Sequence, residues 1–371
     1  MVKPDKLFFV IALLFPIIIM SCKHNTDTGE ELSASSDTQY IVVAFYRPDG
    51  MGDRSWSDTF CLGLHTISES RKDMLSVDIC PQNMDETMNY IEGYMDWGTE
   101  VCKNYKLLFL FADECYLPIV ENLMKKDNIL SKKQVSALVF CPQKSLSVCT
   151  VSVPLYGASY LAGLAAKKIV DEPKVFSIVE RQDRQDVRDC LNGFTEGLGK
   201  QWDGTIQEID LYSESMEIKE SDFFVTTFVT DSEDQLETDP ELAYVIASLI
   251  NGYAFSNICI PLCYGDTYGI LHYNRDFSKF SFYTVGMDVD MSNFSDKVPF
   301  SIVRHVDKVV GECINQWING KEFELRQVFG LEKGYTELII SKKFQTEALN
   351  SLISEAKNIA ITKEVTYENN R

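Results

Sequence analysis

Short apolar strands alternate with amphipathic helices along this chain, and this alternation limits the possible folds more than any other feature. The first pair is 40–46, a β-branched and aromatic run typical of a buried strand, followed by 55–70, whose apolar residues have helical spacing. Strands that alternate with helices form parallel sheets covered on both faces. The sequence predicts further strands at 75–80, 107–112, 135–141, 174–180, 205–212, 257–263 and 282–290, and helices at 86–102, 117–129, 159–170, 186–199, 240–254 and 301–320.

The length of the chain indicates how these units are grouped. With 371 residues it is too long for one ordinary compact core and suits two lobes. We therefore predict an α/β fold made of two doubly wound parallel-sheet lobes.

The loops that follow the strands are the candidate binding segments, because ligands of open parallel sheets bind beyond the carboxyl ends of the strands. Three loops are conspicuous: 47–58 after the first strand, 112–114, and 287–292, which comes after Val285 and overlaps the end of the last predicted strand. A fourth loop, 264–269, has free backbone N–H groups that suit a polar ligand, although a plain helix cap is the simpler explanation.

The charge of the chain excludes one class of partner. It carries 35 Lys and Arg against 55 Asp and Glu, a net charge of −20. Nucleic-acid binding needs a basic surface, so no nucleic acid is expected as a partner.

The cysteines and histidines indicate neither a metal site nor a catalytic centre. Apart from Cys22, the 11 Cys have irregular spacing, and most fit small buried hydrophobic positions, although some disulfides are possible in an exported protein. The four His show no metal-ligand spacing with nearby Cys or carboxylates. The usual hydrolase, phosphate-loop and zinc-protease motifs are missing. We therefore expect no metal, no cofactor and no enzymatic activity.

The first 22 residues have the features of an export signal. Lys3 and Lys6 precede an apolar run of 14 residues, 7–20, which is shorter than the roughly 20 residues that a transmembrane helix needs. The tetrapeptide Ile-Met-Ser-Cys that ends at Cys22 resembles the lipobox of bacterial lipoproteins, in which the Cys is acylated and becomes the new N-terminus.

The segment after Cys22 fits a tether rather than a folded unit. Residues 23–38 are polar and hold too few apolar side chains to fold. No later segment is long and apolar enough to span a bilayer, so the folded part is expected outside the cytoplasm, held to the cell membrane by lipid.

Four stretches resemble motifs of the basic membrane lipoprotein family, which includes purine nucleoside receptors of ABC transporters. They are 49–64, similar to the Asp-x-Gly-x-x-Asp-Lys-Ser-Phe-Asn motif; 156–169, similar to Ser-Phe-Leu-Ala-Gly; 285–292, similar to Gly-Val-Asp-x-Asp-Gln; and 301–322, similar to a Ser-x-x-Lys helix that closes on Gly-Lys. The four occur in the family's order. The resemblance implies a type I periplasmic-binding-protein fold, with two lobes joined by a hinge around a nucleoside-binding cleft.

The resemblance also implies which residues bind the ligand. Trp56 stands where the family has a Phe that stacks on the base. Asp288 matches an acidic residue that suits a ribose, because a carboxylate accepts hydrogen bonds from two adjacent hydroxyls. The other implied ligand-binding residues are Asp49 at the start of its loop, Ser57 in place of Asn, Asp113 at a predicted cleft edge, and Arg304 in place of Lys.

Structural roles remain open for the same residues. Trp56 also fits a core position, and Asp288 a capping position. Arg304 also fits an ion pair with Asp288 or with Asp307. In addition, Ser57 and Arg304 change the hydrogen-bonding groups of the family motif. These departures leave open a ligand with another ring system, such as a flavin. They also leave open a different role, that of a sensory or regulatory lipoprotein on the same fold.

The sequence thus predicts a solute-binding lipoprotein that captures a nucleoside-like molecule and delivers it to an ABC permease. The signal peptide is 1–22 and the tether 23–38. Lobe 1 is predicted as 39–149 with about 291–325, and lobe 2 as 150–290 with about 326–371, the last segment providing a C-terminal crossover.

The lipobox interpretation makes a direct prediction. Replacing the acylated thiol, Cys22→Ser, removes the only predicted anchor, because no other segment is expected to enter the bilayer. The variant should move from the membrane to the soluble fraction when cells are fractionated. A variant that stays in the membrane fraction would show that the lipobox assignment is wrong.

Overall fold

The computed structural model describes residues 39–48, 50–101, 105–125, 135–179, 184–210, 223–229, 257–263, 267–276 and 282–370. The helices in these residues are α1 Trp56–Ser70, α2 Met84–Val101, α3 Leu117–Lys125, α4 Tyr156–Ile169, α5 Gln185–Gly197, α6 Thr267–Asp276, α7 Val306–Ile318 and α8 Glu347–Asn369.

A parallel sheet of six strands forms the centre of the first lobe. Its strands are β1 Tyr40–Phe45, β2 Met74–Ile79, β3 Lys106–Phe111, β4 Ser136–Phe140, β5 Cys149–Ser152 and β13 Arg326–Val328, in the order β13-β5-β4-β3-β1-β2. Alternate residues of β1 enter different cores: Val42 and Ala44 join one apolar cluster, whereas Val43 and Phe45 join another. The sheet is therefore buried on both faces, as its apolar strands predict.

A second parallel sheet, of five strands, forms the centre of the other lobe. Its strands are β6 Val175–Val179, β7 Gln207–Asp210, β8 Phe223–Val229, β9 Ile258–Leu262 and β10 Tyr283–Thr284, in the order β10-β9-β6-β8-β7. Helices α4 and α5 lie against each other beside it. They approach so closely that a methyl group on Gly163 would collide with the carbonyl of Phe194, and one on Gly197 with the carbonyl of Tyr160.

A third, small sheet connects the lobes. It contains β11 Gly286–Asp288, β12 Phe300–Arg304 and β14 Thr336–Ile340, with β12 parallel to β11 and antiparallel to β14. Its apolar side chains pack into the core of the second lobe. The chain passes between the lobes from β5 to α4, from β12 to α7, and from β13 to β14. Backbone hydrogen bonds tie these passages together, from the Phe329 amide to the Ser152 carbonyl at 2.9 Å and from the His305 amide to the Tyr335 carbonyl at 2.8 Å.

The predicted fold class, α/β with two parallel-sheet lobes, is confirmed. Two of the predicted elements differ from the prediction, and the elements β5, β8, β13, β14 and α8 were not predicted. The helix predicted over 301–320 is wrong at its start, because Phe300–Arg304 form β12 and the helix begins at Val306. Every residue of β12 is buried between two partner strands, so sheet pairing overrides the helical spacing. The strand predicted over 282–290 is divided into β10 and β11, which belong to different sheets.

The strands near the predicted lobe boundaries differ from those boundaries by a few residues. β5 continues across position 150, and β13 pairs with it in the first sheet although 326 was assigned to the second lobe. The predicted division into lobes otherwise stays a prediction. The predicted helix 240–254, the tether, Cys22 and Asp49 lie outside the described residues.

The described residues contain no helix that is both long enough and apolar enough to cross a membrane.

The long C-terminal helix α8 is held by a buried carboxylate. Glu364 accepts hydrogen bonds from the backbone amides of Gly157 at 2.9 Å and Leu331 at 2.8 Å. Burial raises the pKa of Glu364 to about 7, although these two amides oppose the rise. One turn later, Glu368 pairs with Arg326 of the first sheet. The helix therefore contacts both the second lobe, through α4, and the first lobe.

The close packing of α4 on α5 predicts different effects for two glycines. Gly163→Ala should lower the free energy of unfolding by about 1–3 kcal/mol, because the added methyl group has no space. The exposed Gly93 of α2 has no atom within 4 Å of an added Cβ, so Gly93→Ala should raise the free energy of unfolding by about 0.5–1 kcal/mol through lower chain entropy. Denaturant unfolding of both variants measures the two changes. Equal changes in the free energy of unfolding would contradict the close packing of α4 on α5.

Candidate functional site

The cleft between the lobes contains two neighbouring cavities that open to solvent; the empty space in them, together with the adjoining solvent, is about 380 and about 310 Å³. The first lobe contributes the loop before α1 and the segment after β3. The second lobe contributes the start of α5, and the third sheet contributes β11 and β12. Three residues line both cavities: Arg184, Asp186 and Arg304.

Asp288 links the third sheet to the first lobe. Its carboxylate accepts one hydrogen bond from the Ser55 hydroxyl and one from Nε of Arg304, each at 2.5 Å. The residue has a φ of +64°, a left-handed backbone conformation that is uncommon outside glycine but tolerated by Asp. Asp288, at the end of β11, lines the smaller cavity.

Arg304 lies at the centre of the cleft, between two carboxylates and an aromatic ring. Besides Asp288, its guanidinium pairs with Asp186 at 3.3 Å. Its guanidinium carbon lies 4.3 Å from the centre of the Trp56 ring, within the range of a cation–π contact. Burial disfavours the charged form, but the two carboxylates outweigh it and raise the pKa of Arg304.

Trp56 opens α1 and is fixed by its indole nitrogen, which donates to the carbonyl of Ala112 at 2.6 Å. The ring lines the larger cavity and meets the edge of Phe140, with 6.5 Å between ring centres. The guanidinium of Arg304 covers one face of the ring. A separation of 4.3 Å leaves no space for a second ring between them, so a ligand that stacks on this face must displace the guanidinium.

Arg184, immediately before α5, is the second cation of the cleft. Its guanidinium forms a two-pronged contact with Asp186, at 2.9 and 2.6 Å, the geometry that suits a guanidinium best. It also lies 3.8 Å from Asp113 and 3.9 Å from Glu114, both in the first lobe. The pKa of Asp186 is pushed up by burial but lowered overall by Arg184 and Arg304. This carboxylate therefore stays ionised between the two guanidinium groups.

Two carboxylates at the carboxyl end of β3 face Arg184. Asp113 accepts a hydrogen bond from the Cys115 amide at 2.9 Å and so begins a short 3₁₀ turn. Glu114 accepts one from the Gln143 side chain at 3.1 Å. Burial and the neighbouring Asp186 raise the pKa of Glu114 to about 7, against the effect of Arg184.

The loop before α1 is shaped by Asp53, which is almost fully buried. Its carboxylate accepts the backbone amides of Ser55 at 2.8 Å and Ser57 at 2.9 Å, and so satisfies the first amides of the helix. The Ser57 side chain lies against Gly50, where a Cβ would sit 2.6 Å from the hydroxyl.

The structure thus brings four of the predicted site residues together and separates one from them. Trp56, Asp113, Asp288 and Arg304 line the cavities, whereas Ser57 does not belong to the lining residues of the described cleft. The ion pair between Arg304 and Asp288, which the sequence left open as a structural role for Arg304, is present. Asp49 lies outside the described residues.

Among the charged and hydroxyl side chains that line the cavities, sequence reasoning missed Ser55, Glu114, Arg184, Asp186 and Asp189. A signal for Arg184 and Asp186 was present in the sequence, because a run of alternating charged and amide residues, 181–186, separates the strand 174–180 from the next helix. This position, the carboxyl end of a parallel strand, is where ligands bind.

Solved structures with a similar fold include an ABC transporter solute-binding protein from Aeropyrum pernix K1, with a TM-score of 0.63 and 14% identity over 88% of this chain and 92% of that chain. A transcriptional activator of the comK gene from Bacillus halodurans aligns with a TM-score of 0.58 and 14% identity over 86% of this chain and 96% of that chain.

A third similar structure is an ABC transporter periplasmic solute-binding protein from Actinobacillus succinogenes 130z with bound D-allose. Its TM-score is 0.58, with 10% identity over 82% of this chain and 99% of that chain. This chain has the type I periplasmic-binding fold. Identities of 10–14% show the fold alone. No family model and no curated protein matches the sequence, so the resemblance to the basic membrane lipoprotein family stays a prediction.

The raised pKa of Glu114 predicts a pH dependence of stability. Between its ordinary value of 4.5 and about 7, the folded protein keeps the proton on Glu114 while the unfolded chain has lost it. The unfolded state binds fewer protons there, so the free energy of unfolding falls as pH rises through this range. Glu114→Gln should reduce that fall by roughly 1–3 kcal/mol.

Urea unfolding at several pH values from 4.5 to 8 measures this effect, with the exposed Glu332→Gln as the control for the loss of one surface carboxylate. A Glu114→Gln variant whose stability falls as steeply with pH as that of the parent would show that Glu114 does not titrate in this range.

Proposed function

We propose that this chain is a non-enzymatic, solute-binding lipoprotein of an ABC-type transporter, which captures a nucleoside-like molecule in the cleft between its lobes. It is anchored outside the cytoplasm by lipid on Cys22 and delivers its ligand to a membrane permease. The observation that supports this most is the convergence of an aromatic ring, two guanidinium groups and carboxylates from both lobes on one cleft.

The polar groups of the cleft match the hydroxyls of a ribose. Asp288 and Asp113 are carboxylates from opposite sides of the cleft, and each can accept hydrogen bonds from two neighbouring hydroxyl groups. The same chemistry suits free sugars, which are the ligands named for several proteins of similar fold, D-allose among them. What favours a nucleoside over a sugar is Trp56, a large planar surface for a base.

The ion pairs across the cleft indicate how a ligand would act on the lobes. Ser55 and Asp288 connect the first lobe to the third sheet, and Arg184 approaches Asp113 of the first lobe. A ligand that stacks on Trp56 displaces the guanidinium of Arg304 and forms hydrogen bonds with the polar groups that now connect the lobes. Ligand binding then exchanges one set of contacts between the lobes for another, which is the requirement for a ligand to shift the equilibrium between open and closed forms.

The same contacts favour a second candidate, a sensory or regulatory lipoprotein on this fold. Direct ion pairs between the lobes can hold the cleft closed without a solute, and one protein of similar fold is a transcriptional activator. A receptor for another planar ligand, such as a flavin, is a variant of the first candidate.

Thermal unfolding of the full acylated chain in detergent, against purine nucleosides, free bases, riboflavin and sugars, distinguishes these candidates. A ligand that binds only the folded state stabilises it by about 2.7 kcal/mol at a hundredfold excess over its Kd. We expect nucleosides to raise the Tm and free bases to leave it unchanged. A rise in Tm with sugars or riboflavin alone would show that the ligand belongs to that class instead. No rise in Tm with any of these compounds would favour the regulatory candidate.

Asp288 provides a specific test of the ribose contact. Asp288→Ala should weaken nucleoside binding by about 2–5 kcal/mol, because a buried charged hydrogen-bond partner is lost. The exposed Asp296, which pairs with Lys343 at 3.4 Å, is the matched control, and Asp296→Ala should bind like the parent. Titration calorimetry measures both. Parent-like affinity in Asp288→Ala would remove Asp288 from the binding site.

A further inference from the structure

A second cluster of reactive side chains lies outside the cleft, between helix α1 and the edge strand β2. It contains the thiol of Cys61, the imidazole of His65 and the carboxylate of Asp78. One donor atom from each of them lies within 4.8 Å of the other two. Among the described residues, no other group of three His, Cys, Asp or Glu donors is this close.

The cluster follows from elementary geometry. Cys61 and His65 are four residues apart on α1, so both side chains lie on the same face of the helix. Asp78 lies on β2, next to Ala44 of β1. The sequence expectation that no His shares a ligand spacing with a nearby Cys is therefore wrong for His65, whose neighbour Cys61 lies one helical turn earlier.

The carboxylate of Asp78 is held in place by two hydrogen-bonding partners. One oxygen lies 2.7 Å from Nε2 of His65, and the other accepts a hydrogen bond from the Tyr46 hydroxyl, also at 2.7 Å. Tyr46 is fully buried. A phenol is protonated at neutral pH, so the Tyr46 hydroxyl is a donor to Asp78.

We propose that Cys61, His65 and Asp78 bind a divalent transition-metal ion of the zinc type. Thiolate, imidazole and carboxylate are the three ligand types that zinc uses, whereas calcium and magnesium need several oxygen ligands. The side chain of His65 is 41% exposed, so an ion can enter from solvent and keep a water molecule as its fourth ligand.

The distances fit such an ion after a small adjustment. Zinc–nitrogen and zinc–oxygen bonds of about 2.0 Å in a tetrahedral site place the two donor atoms about 3.3 Å apart. The distance between His65 and Asp78 therefore has to widen from 2.7 Å, and the ion replaces the proton that the pair shares. That proton moves to the other ring nitrogen of His65, and the Cys61 thiol releases its own proton to solvent, since only the thiolate binds the metal.

Tyr46 acts as a positioning residue in this site. Hydrogen bonds to a ligating carboxylate orient it, and their loss typically weakens metal binding about 10–100-fold. Tyr46→Phe removes the donor to Asp78 while keeping the ring that packs against Phe60, so its effect on the metal is separable from an effect on folding.

Titration of the full chain with cobalt(II) and then zinc tests the site, in a detergent solution that contains a phosphine reductant. We expect a thiolate-to-cobalt charge-transfer band at one equivalent, its loss on addition of zinc, and release of about one proton per ion. Cys61→Ser should abolish the band, Asp78→Asn and His65→Gln should lower affinity strongly, and Tyr46→Phe should lower it about 10–100-fold.

Two controls use similar residues elsewhere in the chain. Cys149→Ser removes another half-buried thiol, and His305→Ala breaks another His–carboxylate pair, 2.7 Å from Glu337. Both should bind cobalt and zinc like the parent. The proposal fails if the parent shows no thiolate band, or if Cys61→Ser or Asp78→Asn binds the ion as tightly as the parent. In that case His65 and Asp78 form only a hydrogen-bonded pair beside a small apolar thiol.

Discussion

The contacts between the lobes depend on two buried guanidinium groups and the carboxylates around them. Arg304 joins Asp288 to Asp186, and Arg184 joins Asp186 to Asp113 across the cleft. Removing one partner from such a network leaves a buried charge uncompensated, which costs far more than the pair contributes. A ligand that binds here as proposed would have to compensate the charged groups that it separates with hydrogen-bonding groups of its own.

The fold supplies the positions of these charges. Asp113 lies at the carboxyl end of β3, Arg184 and Asp186 at the start of α5 after β6, and Asp288 at the end of β11. All four lie at, or in the segment after, the carboxyl end of a strand and line the cleft, the position where parallel sheets bind ligands. Three neighbouring passages of the chain join the lobes, and backbone hydrogen bonds tie these passages to one another. Two lobes joined in this way, each with its own core, have the arrangement in which hinge motion occurs.

Much of the fold was predictable because apolar periodicity is local. The run 40–46 and the helix that follows it are found where the pattern predicts them, as β1 and α1. The same reasoning failed at Phe300–Arg304, because a strand buried on both faces has no period of its own. In the cleft, Trp56 and Asp288 were identified through a motif resemblance. Arg184 and Asp186 lie in a charged run that has no motif, and only their position after β6 places them in the cleft.

The sequence by itself determined the alternation of strands and helices, the acidic charge, and the polar segments at the carboxyl ends of strands, because these are properties of neighbouring residues. The tertiary structure decided which of these segments meet. Ser55 and Asp288 are separated by 233 residues yet share a hydrogen bond, and Asp78 reaches Cys61 and His65 only because β2 lies beneath α1. Contacts of this kind depend on the order of the strands in a sheet, which no local pattern specifies.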